Sequence, residues 1–243
     1  MSLLDLQTAL GRMIMGSSGD GACRGLALSP EEATELATIA TSRGFRYMEE
    51  VQRSWCKGRS AKAARLSLSV LDKDERRRLL DAWVNAGGGR SSFFASETDA
   101  FLNFIAERLP DPSHELTICR MEQGLIRAKG GLDGFDARRR LLTDLADWTV
   151  CRGHSASVVV FHAEPSVLLS ALGKRPLPPL SPRAVAVVFA PGLDRLSRIA
   201  TAAEVNVWER LREPATIDAL LQGGHPREMI ETMFLEGFID QSA

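Results

Sequence analysis

"RIATAAEVNVWERLREPATIDALLQGGHPREMIETMFLEGFID", residues Arg198 to Asp240, decides the fold of this chain. It parses into three short helices. Val205, Trp208 and Leu211 share one face, Ile217, Leu220 and Leu221 a second, and Met229, Ile230, Met233 and Phe234 a third. Thr216 is placed to cap the middle helix, Gly223-Gly224 to end it, and Gly237 to close the last. A winged-helix DNA-binding domain usually sets a β-ribbon after its third helix. Here Asp240 is followed only by Gln241, Ser242 and Ala243, so the strands are sought upstream.

Three runs there read as strands. "SASVVVFHA" (Ser155–Ala163) and "PRAVAVVFAPG" (Pro182–Gly192) are rich in β-branched residues, and "LSRIATA" (Leu196–Ala202) alternates more weakly. Between the first two, "EPSVLLSALGKRPLPPLSPR" starts as a short helix and becomes a proline-rich surface loop. The order β-β-β-α-α-α is the winged-helix inventory permuted, and it predicts a sheet packed on a three-helix bundle.

Before Cys151 the text is helical throughout. "LSPEEATELATIATSRG" carries a capping box (Ser29, Glu32) with Pro30 at the first helical position and Gly44 beyond the last turn. Leu3, Leu6, Leu10 and Met13 recur at helical spacing, as do Phe45, Met48, Val51 and Trp55 until Lys57-Gly58. Leu79, Leu80, Trp83 and Val84 form another stripe; Phe101, Phe104, Ile105 and Leu109 follow, behind Ser96 and Asp99 in box spacing. Asp111-Pro112 is placed to cap the next segment, "PSHELTICRMEQGLIRAKGG", from Pro112 onward. The expected fold class is α+β: an all-helical domain over 1–150, which binds a partner, then a three-strand, three-helix winged-helix-like module over 151–243.

Composition narrows the function classes. The chain has 243 residues, 44% hydrophobic and 25% charged, enough for an ample core, and no apolar run of membrane-spanning length. The amphipathic start lacks a basic n-region and cleavage site, so the expected compartment is the cytoplasm, with no membrane partner. Net charge is −1; residues 151–243 hold 9 Lys/Arg against 10 Asp/Glu, leaving 21 against 21 upstream. Neither part has the basic excess that drives phosphate binding. Cys23, Cys56, Cys119 and Cys151 are scattered, without zinc-ligand spacing or a disulfide framework, so they read as reduced thiols.

No catalytic motif stands out. Gly-x-Ser-x-Gly, P-loop and GxGxxG patterns are absent, and the glycine-rich 85–92 stretch lacks the Lys-Ser/Thr signature, so it reads as a loop. His154 and His162 lie eight positions apart, roughly 26 Å on one uninterrupted strand, too far to share a metal. His162 reads as a partly buried histidine, and His225 before Pro226 as a cap or turn residue. Glu122, beside Met121 and Leu125, reads as a structural carboxylate paired with an arginine or a backbone amide rather than a base. No residue is assigned a catalytic or metal-binding role.

"VWERLREPATIDALL" followed by "MIETMFLEGFI" resembles the peptide-recognition module of ribosomal peptide natural-product (RiPP) pathways, the RiPP recognition element or PqqD-like domain. With "LLDLQTALGRMI" at the start and "FLNFIAERLPDPSHELTICRMEQGLIRAKGG" at 101–131, the chain is similar to the companion subunits of TIM-barrel multinuclear iron oxidases in methanobactin biosynthesis. That resemblance implies a heterodimer with an MbnB-like barrel subunit that holds the iron. It also implies that the pair oxidises cysteines of an MbnA-like precursor peptide to oxazolone and thioamide groups, in a pathway that makes a copper-chelating peptide. This chain, without cofactor of its own and not an enzyme alone, then supplies leader-peptide binding.

The physical counterpart is β-augmentation. A border strand offers unpaired backbone groups on which an extended peptide docks as one more strand, and pockets beside it select side chains. The candidate border is Leu196–Thr201, with Leu196, Ile199 and Thr201 along it and Arg195 and Arg198 facing acidic leader residues. Met229, Ile230 and Met233 are the candidate pocket wall, since methionine adapts to varied ligands. Taken singly, Met229, Ile230 and Met233 suit an ordinary core role better than a groove, and Arg195 and Arg198 a solvated one, so the reading rests on the order of elements. The alternative is a winged-helix transcription regulator. Against it, "HPREMIETMFLEG" sets one arginine against Glu228, Glu231 and Glu236, a face that repels phosphates and binds no nucleic acid.

Overall fold

The computed structural model describes residues 3–15, 19–90, 94–135, 148–174 and 176–242. The first helices are α1 (Leu3–Ile14), α2 (Gly19–Cys23), α3 (Pro30–Thr41), α4 (Arg43–Ala63), α5 (Arg65–Ser69), α6 (Lys73–Asn85), α7 (Phe94–Ala106) and α8 (His114–Gly130). Strands β1 (Thr149–Arg152) and β2 (Ser157–Phe161), helix α9 (Pro165–Ser170), and strands β3 (Val185–Phe189) and β4 (Ser197–Ile199) follow. The chain then runs through α10 (Ala202–Arg210), β5 (Ala215–Thr216), α11 (Ile217–Gln222), α12 (Arg227–Leu235) and β6 (Ile239–Gln241). It is a mixed helix-and-sheet protein with its helices concentrated toward the N-terminus. No helix among the described residues is long and apolar enough to cross a membrane.

Two compact units divide the chain: residues 1–63 with 73–101, and residues 64–72 with 102–243. The expected boundary at 150 coincides with the onset of strands, but compactness divides the chain earlier. The physical reason is α8, which packs on β2 and β3 and also against α5. Both therefore join the sheet-bearing unit.

In the first unit, Ala9, Met13, Ala22, Leu36 and Phe45 form a core. Helix α3 starts as its sequence dictates: Ser29 accepts from the Glu32 N–H, Glu32 returns to the Ser29 N–H at 2.7 Å, and Pro30 occupies the first turn. Helix α4 departs from expectation twice. It runs past Lys57-Gly58 to Ala63, and it buries the face of Phe45, Cys56 and Ser60. Ser60 Oγ accepts a hydrogen bond from Trp83 Nε1 at 3.0 Å, so a polar residue takes the inward position. Met48, Val51 and Trp55 point outward instead. Helix α7 starts by Phe94, which places Ser96 inside it rather than at its cap.

The second unit is layered around the sheet β2-β3-β4, in that order and antiparallel throughout. Because strand side chains alternate, β3 feeds two cores. Val187 and Phe189 pack with Val159, Phe161, Ile118 and Met121 on the α8 side. Val188 and Ala190 pack with Val207, Trp208, Leu220, Ile230, Met233 and Phe234 on the side of α10, α11 and α12. A sheet covered on both faces explains the unbroken apolar run "VAVVF". The α8 layer lies close: a Cβ on Gly124 would come within 2.5 Å of Ser157 Oγ and 3.0 Å of Phe189. Ser113, not Asp111-Pro112, caps α8 by accepting from the Leu116 N–H.

The three C-terminal helices appear as the sequence predicts. Thr216 caps α11, and α12 ends at Gly237 (φ +71°), where the Phe238 N–H returns to Met233 O at 2.8 Å. One feature went unforeseen. β5, β1 and β6 form a second antiparallel sheet with β1 in the middle. Strands thus stand within and after the helical trio as well as before it.

Candidate functional site

Strand β4 borders its sheet, pairing with β3 on one side. The Ala190 N–H donates to Leu196 O at 3.1 Å, and the Ala200 N–H donates to Ala186 O at 2.9 Å. In an antiparallel pair such bonds recur at every second residue. Residues 196, 198 and 200 therefore direct their backbone groups at β3, while Ser197 and Ile199 direct theirs away. Ile199 is 62% exposed. The turn into this strand holds Leu196 at φ +58°, a left-handed conformation costing a residue with a Cβ roughly 1–2 kcal/mol.

A charged clamp sits behind the border. Arg198 donates through Nη1 to Glu204 Oε2 at 3.0 Å and through Nε and Nη2 to Glu236 at 3.0 and 2.6 Å. It thereby ties β4 to the start of α10 and the end of α12. Glu204, buried, is also the capping-box residue of α10, accepting from the Thr201 N–H at 2.7 Å. Burial works to raise the Glu204 carboxyl, but hydrogen bonds from Arg198 and Thr201 outweigh it and hold the group below the usual glutamate range. Hydrogen bonds to Glu204 and Glu236 push the Arg198 guanidinium upward. Arg198 Nη1 further donates to Ile199 O at 3.1 Å, which fills one outward acceptor. The outward groups left without a partner among the described residues are the Ser197 N–H and C=O and the Ile199 N–H.

The eight predicted site residues fall into three sets. Ile199 lies on the open border, and exposed Arg195 and half-buried Leu196 form the turn leading to it. Arg198 and Thr201 belong to the clamp, so Arg198 already has its carboxylates and is not free for acidic leader residues. Ile230 and Met233 are buried in the core on the helix side of the sheet and cannot wall a pocket, because α12 turns that face inward. Met229 is half-buried at its margin. Glu204 and Glu236 were missed. The Thr201-x-x-Glu204 box is a legible sequence signal; Glu236 carries none.

The remaining candidates resolve structurally. Glu122 is buried and accepts from the Leu66 N–H (2.9 Å), the Ser67 N–H (2.7 Å) and Ser67 Oγ (2.6 Å), anchoring α5 to α8. The His154 N–H donates to Asp240 Oδ2, and the His225 N–H to Leu220 O in the turn between α11 and α12. His162 is half-buried just after β2. The glycines at 87 and 89 take positive φ in the turn after α6. Arg152 lies over the Trp208 ring at 4.7 Å and donates to Trp208 O, an unforeseen packing contact. The described cysteines are all free; burial pushes the Cys119 thiol up to about 12. Among the described residues no cluster of three His, Cys, Asp or Glu side chains could hold a metal ion. The border therefore offers backbone pairing and shape rather than reactive groups.

Neither the models of known protein families nor the curated proteins contain a match to this chain.

Proposed function

We propose that the chain is a cytoplasmic, non-catalytic peptide-binding subunit, an MbnC-type companion of an iron oxidase that modifies cysteines of a ribosomally made precursor. Its C-terminal part acts as a RiPP recognition element and its helical part binds the barrel subunit. The observation that carries the reading is the side of β4 left unpaired among the described residues, where Ser197 and Ile199 turn their backbone groups outward. A leader segment adding there gains ladder hydrogen bonds, and the exposed Ile199 side chain offers it an apolar contact. The clamp keeps this short strand rigid, which lowers the ordering cost of binding. The test is co-expression with an MbnB-like barrel enzyme and its precursor peptide. The two chains should elute together, with iron and turnover dependent on the barrel. Separate elution, or stoichiometric iron on the isolated chain, would overturn the proposal.

A second reading, the winged-helix regulator, draws support from β5 and β6, which lie between and after the three helices as in that class. Charge opposes it: on α12, Arg227 and Glu228 are exposed and Glu231 half-buried, a face without basic excess. Sequence-specific gel shifts at moderate salt would revive it.

A further inference from the structure

We infer that the outward face of α4 docks an acidic amphipathic helix of a protein partner. Tyr47, Met48, Val51 and Trp55 stand 65%, 49%, 44% and 52% exposed. Tyr47, Val51 and Trp55 follow at intervals of four, so they line one side of the helix over about 12 Å. Large apolar side chains scattered singly on a surface need no explanation; four on adjoining turns form a patch. Tryptophan, tyrosine and arginine are also the residues on which interfaces most depend. The Arg59 guanidinium lies 4.6 Å from the Trp55 ring centroid, bracing that anchor.

Charge identifies the occupant. Helix α4 carries six basic residues against Glu49 and Glu50. Lys57 and Arg53 pair with Asp81, and Arg59 with Glu97. Arg43, Arg46 and Lys62 make no ion pair among the described residues. Four guanidiniums, those of Arg43, Arg46, Arg53 and Arg90, outnumber the carboxylates of Glu49 and Glu50 in the lining of a cleft of about 820 Å³ that Tyr47 also borders. An apolar stripe framed by unpaired cations fits a helix with apolar side chains at i, i+4 and i+7 and carboxylates alongside. A second copy of the chain would bring the same cations against themselves. Nucleic acid is disfavoured because Arg53, Lys57 and Arg59 are already paired, which leaves three unpaired cations on the helix among the described residues, fewer than a phosphate backbone engages. The inference does not depend on the β4 border.

The experiment pans a display library of helix-length random peptides on the full chain, with Val51→Asp/Trp55→Ser as the counter-target. Enriched peptides are then measured by fluorescence anisotropy. Peptides rich in Asp and Glu, with Leu or Phe at helical spacing, should be selected. Their affinity should fall about tenfold or more with Trp55→Ala, and similarly with Arg43→Glu/Arg46→Glu. Raising NaCl from about 50 to about 300 mM should weaken them several-fold. The side chains are exposed, so circular dichroism should be unchanged; Tyr47→Ser replaces Trp55→Ala if that variant fails to fold. No enrichment over the counter-target, or selection of basic or wholly apolar peptides, overturns the proposal. So does a single-stranded oligonucleotide whose binding depends on Trp55, or self-association through this face in sedimentation velocity. Variants of β4 should leave the selected peptides bound.

Discussion

Proline at position 199 tests the parity of the β4 border. The Ile199 N–H faces away from β3, so Ile199→Pro removes an outward donor and leaves the β3–β4 ladder intact. The residue before it, Arg198, already lies in a strand, the region proline demands of its predecessor. Folding should therefore survive, with the melting transition moved by no more than a few degrees. Of the three outward groups that lack a partner among the described residues, one disappears and the ring obstructs the approach of another strand. A net ladder bond is worth about 0.5–1.5 kcal/mol, so with the obstruction the loss should reach about 1–2 kcal/mol, or roughly 5- to 30-fold in Kd. Anisotropy of a labelled precursor leader, titrated with wild type and variant, reads this directly. Ala200→Pro is the matched control: its N–H donates inward to Ala186 O at 2.9 Å, so it should break the ladder and destabilise the unit. An unchanged leader Kd in a folded Ile199→Pro variant would refute the docking argument. Equal destabilisation by both prolines would refute the assignment of which residues face outward.

Further tests address the framework. Arg198→Met strands the buried Glu204 beside Glu236 and should cost about 2–4 kcal/mol in urea unfolding; unchanged stability would show the clamp to be slack. Because the folded Glu204 value is lowered, its contribution is complete above the ordinary glutamate range of about 4.3 and is lost as pH falls through the lower folded value. The acid limb of the wild-type stability profile should accordingly be steeper than that of Arg198→Met, and superimposable limbs would contradict the linkage. Glu122→Gln, which removes the charge accepting three donors, should cost about 1–3 kcal/mol and speed hydrogen exchange at the Leu66 and Ser67 amides. Thiol reagents at mildly alkaline pH should label half-exposed Cys23 well before Cys119, whose thiol is buried and pushed up to about 12. Equal labelling in the folded protein, read by peptide mass spectrometry, would contradict that burial.

What the sequence determined alone is what local chemistry governs. Ser29-x-x-Glu32, Thr201-x-x-Glu204, Thr216 and Gly237 mark helix ends because capping satisfies backbone groups within a few residues of the cap itself. The run "VAVVF" announces a strand because its residue types suit a pleated backbone. Tertiary structure decided everything that depends on which surfaces meet. Ala215–Thr216 is too short to signal a strand and exists as one by pairing with β1, and β6 likewise. Periodicity fixes that α4 is a helix but not which side turns inward; the hydrogen bond from Trp83 to Ser60 belongs to the arrangement that leaves Trp55 in solvent. Glu236 reaches Arg198 across 38 positions of chain, a distance that local propensity does not see. Packing and long-range ion pairing are collective, so they enter only when the whole chain has folded.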